Sequence, residues 1–98
     1  MRGSVAKFVS GNRLVGWVWV NPKDNFIVQV YYDKKIIGIG IPNIDKPESE
    51  SMKGLIRKGY SIVLTKKIDI HNASSDTFSV LLIVNDSERY TLSKDFYK

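Results

Sequence analysis

The chain has 98 residues, 43% of them hydrophobic, so it can close one core and is expected to form a single domain over 1–98. It has no cysteine, which excludes disulfides, thiolate metal sites and a cysteine nucleophile. The formal charge of +5 comes from 15 basic and 10 acidic residues, and the excess is local: Lys53, Arg57, Lys58, Lys66 and Lys67 lie between Ser51 and Ile68 with no acid among them.

Met1 to Ser4 carry no structural weight in this reading. Val5 to Val9 reads as a first strand, and Ser10-Gly11-Asn12 as a turn. Leu14 to Val20 is a second strand, rich in β-branched and aromatic residues. Asn21 to Asn25 is a loop of turn formers. Phe26 to Tyr32 is a third strand, Asp33-Lys34-Lys35 a hairpin connection, and Ile36 to Ile41 a fourth strand. Gly38 and Gly40 share one face of that strand, which invites close approach by a large neighbour; Trp17 or Trp19 is the candidate. Pro47 with Glu48 and Glu50 signals a short helical turn over Pro47 to Lys53, stopped at Gly54. Gly59 to Thr65 is a fifth strand, Lys66 to Asp76 a loop, and Phe78 to Val84 a sixth strand. Asn85-Asp86-Ser87 is a second hairpin turn, Arg89 to Leu92 the last strand, and 93–98 a polar tail.

About seven short strands with turns every ten residues or so argue an all-β sandwich or small barrel. No apolar run approaches the ~20 residues of a membrane-spanning helix. The first residues hold no apolar segment long enough for a signal peptide.

Gly16-Trp17, then Asn21-Pro22, then VQVYYDKKIIGIG, then Pro47 and Gly59-Tyr60-Ser61-Ile62 form a spaced pattern. From about Phe8 to Leu92 the chain resembles a bacterial immunoglobulin-like β-sandwich module with a G-W-A-x-(N/D)-P opening. Such modules are appended to glycosyltransferases and other polysaccharide-handling or cell-surface proteins. Val20 is an extra residue relative to that opening, and Lys34-Lys35 stands where the module favours Asp-Gly. The resemblance implies an immunoglobulin-like β-sandwich and a non-catalytic accessory role, with no catalytic residue to transfer. It implies a bacterial setting, cytoplasmic or at the cell surface.

The stretch GWVWV carries both tryptophans. On a strand, Val15, Trp17 and Trp19 share one face, and Leu14, Gly16, Val18 and Val20 the other. Both faces are apolar, so alternation does not choose the inside. A strand buried on both sides explains the pattern, and so does a bulge that parts the two rings. Trp17 is the expected core ring. Trp19, Tyr31, Tyr32 and Tyr60 are the candidate ligand-binding residues, because aromatic rings offer flat area on which sugars stack.

His71 is the single histidine and has no second imidazole or thiolate to complete a zinc site. The turn aspartates Asp24, Asp33, Asp45 and Asp86 form no calcium-loop spacing. Neither a cofactor, a metal nor enzymatic activity is therefore expected. Two readings from other classes stand beside the glycan-binding or domain-docking module. One is a small basic barrel that binds single-stranded nucleic acid through Lys53, Arg57, Lys58, Lys66 and Lys67. The other is a structural or oligomerisation domain that pairs through strand edges.

Overall fold

A computed structural model describes residues 3–9, 12–45, 54–68 and 77–94. The expected helical turn over Pro47 to Lys53 and the loop residue His71 lie outside the described residues. Within them the protein is all-β, with nine strands. These are β1 Gly3–Val9, β2 Arg13–Val20, β3 Phe26–Tyr32, β4 Lys35–Gly40, β5 Ile44–Asp45, β6 Ile56–Val63, β7 Phe78–Val84, β8 Glu88–Thr91 and β9 Ser93–Lys94.

The strands form two sheets, in the orders β5-β6-β2-β1-β9 and β4-β3-β7-β8. All pairings are antiparallel except β1 with β9. The sheets share one apolar core: Leu14, Val18, Val20, Tyr60 and Ile62 from the first meet Val28, Val30, Phe78, Val80, Leu82 and Val84 from the second. Burying each such aliphatic or aromatic side chain contributes about 1.5–3 kcal/mol.

Two hairpins turn on non-glycine residues with positive φ. Asp33 and Lys34 stand at 52° and 67°, and Asn85 and Asp86 at 52° and 63°. Positive φ at both central residues is the signature of a type I′ turn, whose twist matches that of the flanking strands. The second hairpin is tied to the β2–β3 loop. Asn25 N donates to Asn85 Oδ1 at 3.0 Å, and Asn85 Nδ2 donates to Asp24 Oδ1 at 3.2 Å.

Gly3 and Ser4, and Ser93 and Lys94 of the polar tail, are part of the fold, contrary to expectation. β1 starts at Gly3, and Ser4 is buried. After Leu92 the chain leaves the second sheet for the first, where Ser93 and Lys94 pair with Ser4 and Val5. Polar composition hid this, because β9 is only two residues long.

Glycine decides two close approaches. Gly38 and Gly40 do admit close neighbours, as expected, but these are not tryptophans. A Cβ at Gly40 would stand 2.5 Å from Ile62 Cγ1, and one at Gly38 would stand 2.7 Å from Leu64 Cδ2. β4 thereby lies close over Ile62 of β6 and over Leu64. Gly16 pairs with Tyr60 across β2 and β6, and a methyl there would overlap the Tyr60 phenol and the Ser4 carbonyl. The bare Gly16 lets the Tyr60 hydroxyl cross β2 and donate to Ser4 O at 3.0 Å.

Tyr60 is fully buried, and burial pushes its phenol above the ordinary tyrosine range. Below pH ~10 the phenol keeps its proton in both the folded and unfolded states. Above that, the unfolded chain releases the proton while the native one holds it, so stability falls as pH rises. Tyr60→Phe should cost about 1–2 kcal/mol at neutral pH, since it leaves a buried carbonyl without its donor. The stability gap between wild type and variant should narrow as pH climbs past ~10, measured by urea unfolding. A gap independent of alkaline pH would contradict this account.

Candidate functional site

The β2–β6 register runs without a shift from Arg13↔Val63 to Val20↔Ile56. No bulge parts the tryptophans. The irregularity of this sheet lies instead in β1, between Val5 and Lys7. Leu14, Val18 and Val20 are at most 1% exposed and face the second sheet. Alternation then sends Val15, Trp17 and Trp19 to the outer face, where all three are half-buried. Trp17 is therefore not the core ring that the sequence suggested. The core position opposite this strand belongs to Tyr60, which reaches over Gly16.

The two indoles meet edge-on, with centroids 6.1 Å apart and planes at 85°. This is a favoured geometry for aromatic pairs. The Arg57 guanidinium carbon sits 4.5 Å from the centroid of the Trp17 ring. Arg57 is opposite Trp19 in register, and Gly59, opposite Trp17, adds no side chain that would compete for the space. At the other end of this face Arg13 donates to Ser61 Oγ at 2.8 Å, and Val63 is 56% exposed. The outer face of the first sheet thus combines two indoles, a stacked cation and exposed aliphatic surface.

The four candidate ligand-binding residues do not converge. Trp19 is on the outer face of the first sheet. Tyr31 is on the outer face of the second, where its hydroxyl donates to Gln29 Oε1 at 2.8 Å. Tyr32 turns to the other side of β3, packs against the core and carries Lys66 Nζ at 4.4 Å from its ring centroid. Tyr60 is a core residue and is removed from any surface platform by its hydrogen bond to Ser4. Adjacent positions on a strand point oppositely, so Tyr31 and Tyr32 had to separate.

The basic cluster is also divided. Arg57 lies on the outer face of β6. Lys58 leaves the strand on the opposite side, in register with Val18 and Asp45. Lys66 and Lys67 lie beyond the far end of β6, whose run from Arg57 to Val63 spans roughly 20 Å at ~3.3 Å per residue. Lys53 lies outside the described residues. The four that are described form no single stripe. Among the described residues, no group of His, Asp and Glu is disposed to hold a metal ion, and no helix is long and apolar enough to cross a membrane.

The second sheet carries a feature that the sequence did not single out. A pocket of about 340 Å³ opens on its outer face, lined by Tyr31, Asp33, Lys34, Thr77, Ser79, Leu81 and Arg89. These residues come from three strands, a hairpin turn and the position before β7, so no local motif announces them. Compared with known proteins, the chain matches no family model, no curated protein sequence and no solved structure.

The stacking of Arg57 on Trp17 should be measurable. A double-mutant cycle of Arg57→Met and Trp17→Leu, read by urea unfolding, should return a coupling of about 0.5–1 kcal/mol. Additive effects of the two substitutions would contradict the stacked arrangement.

Proposed function

We propose that this chain is a non-catalytic accessory module with an immunoglobulin-like β-sandwich fold that binds a glycan on the outer face of its five-stranded sheet. One observation carries the reading: Trp17 and Trp19 emerge together on the solvent side of β2, with Arg57 stacked on Trp17. Rings of this size offer apolar area at low cost in side-chain entropy, and the faces of pyranose rings stack on such area. Arg57, a fork of donors fixed against an indole, can bond to sugar hydroxyls or carboxylates at the edge of the stack. The resemblance of the Gly16-Trp17, Asn21-Pro22 and Gly59-Tyr60 pattern to modules of polysaccharide-handling proteins agrees with this reading. Trp17, which the sequence assigned to the core, joins Trp19 in the binding role, while Tyr31, Tyr32 and Tyr60 leave it.

A second reading is favoured by the edge strand β4. Ile36, Ile39 and Ile41 on or beside it are 47%, 57% and 62% exposed. Exposed apolar edges promote strand-to-strand pairing, which suits a structural or oligomerisation domain.

Electrophoresis in native gels containing soluble polysaccharides tests the first reading. The wild-type protein should be retarded by at least one glycan, and Trp19→Ala should lose that retardation while keeping the wild-type circular dichroism. Equal mobility in every glycan would sink it. Sedimentation velocity over a wide concentration range tests the second. Self-association that Ile39→Lys abolishes is the expected result, and a monomer at all concentrations would overturn it.

A further inference from the structure

The pocket on the second sheet owes its shape to the way the chain leaves that sheet. β8 pairs with β7 only from Val84↔Glu88 to Leu81↔Thr91. Leu92 N still donates to Val80 O at 2.9 Å, and the chain then crosses to pair with β1. The β8 pairing stops short of Ser79. The opening beside it is bounded by Tyr31 on β3, by the Asp33–Lys34 turn and by Arg89 on β8. Asp33 N donates to Thr77 O at 2.9 Å, which fixes the turn against the start of β7.

The lining is chemically mixed in a particular way. Tyr31 and Leu81 supply apolar wall. Thr77 and Ser79 carry hydroxyls that can both donate and accept. Arg89 and Lys34 bring two positive charges against the single carboxylate of Asp33. The volume of about 340 Å³ lies at the small end of ligand pockets. It suits one sugar-sized ring and little more. Lys34 occupies a left-handed backbone position, φ 67°, at which glycine or asparagine is favoured in a type I′ turn. A lysine is held there at a cost in backbone strain, and it is one of the residues that line the pocket.

We propose that this pocket binds a monosaccharide-sized polyol ring bearing one anionic group, a carboxylate or a phosphate. The ring's apolar face lies against Tyr31 and Leu81. Its hydroxyls bond to Asp33, Ser79 and Thr77, and its anion is held by Arg89 and Lys34. Guanidinium pairs with either anion through parallel donors, so both sources share this chemistry. The site lies on the opposite sheet from Trp17 and Trp19 and does not depend on the glycan face proposed there.

The test is amide chemical-shift mapping of the ¹⁵N-labelled protein titrated with glucuronate, glucose 6-phosphate and methyl glucoside. The two anionic sugars separate the carboxylate from the phosphate, and the neutral one controls for the ring alone. Saturable shifts at Lys34, Ser79, Leu81 and Arg89 with at least one anionic sugar, and at least tenfold weaker binding of methyl glucoside, are expected. Arg89→Gln should weaken binding by about tenfold or more, with Arg89→Lys between it and wild type. Lys34→Gly should raise the melting temperature, by relieving the turn, and yet weaken binding. Trp19→Ala should leave it unchanged, which separates this site from the first sheet. Absence of saturable shifts, equal binding of the neutral sugar, or full affinity in Arg89→Gln would overturn the proposal.

Discussion

The Tyr60 phenol, passing over Gly16 to the Ser4 carbonyl, is the contact on which the first sheet depends. It spans three neighbouring strands, β6, β2 and β1, from the core side. It is possible only because Gly16 lacks a side chain. It also fixes which side of β2 is the inside. With Tyr60 lying over Gly16, Leu14, Val18 and Val20 must face the second sheet, and the indoles two residues apart must face away. A register slip of one residue would drive both tryptophans into a core already filled by Tyr60 and would expose three fully buried aliphatic residues. Hydrophobic burial and the hydrogen bond favour the same register, which is the agreement between local and global preference that specifies a single native state.

From that constraint the two outer faces acquire different characters. The first carries an edge-on indole pair with a guanidinium stacked on one of them. The second carries Tyr31, exposed isoleucines along β4 and a small pocket with two cations in its lining. The proposed functions follow this division. A flat aromatic face suits an extended polymer, while an open pocket lined by Arg89 and Lys34 suits a small anion. Neither face draws on the core residues, so substitutions there can be read as binding effects with little loss of fold.

Much of the fold was legible because strands of this protein carry strong local signals. β3 and β7 were read to the residue from their runs of β-branched and aromatic side chains, and both hairpins from short polar turns. β5 and β9 were not legible. Each is two residues long and polar in part, and each exists only because a longer strand offers it an edge. The importance of Ser4 was equally hidden, since it acts through a backbone carbonyl that any residue would supply. The site was harder. Alternation correctly grouped Trp17 with Trp19 and separated Tyr31 from Tyr32, but two apolar faces gave no direction to the strand. The missing fact was a partner across the sheet: Tyr60 opposite Gly16. Within the basic cluster Arg57 and Lys58 separate, because successive positions along a strand point to opposite sides. The pocket at Arg89 and Lys34 gathers residues distant in sequence and leaves no spacing to read.

The central claim is that the lock between Gly16 and Tyr60 turns both indoles to the solvent side of β2. Acrylamide quenching of tryptophan fluorescence in Trp17→Phe and in Trp19→Phe, each with one indole left, tests it most directly. Each remaining tryptophan should be quenched to a measurable extent in the folded protein, though less than in urea, as befits half-buried rings. An unquenchable, blue-shifted emission from either protein would place that indole in the core and contradict the register on which the account rests.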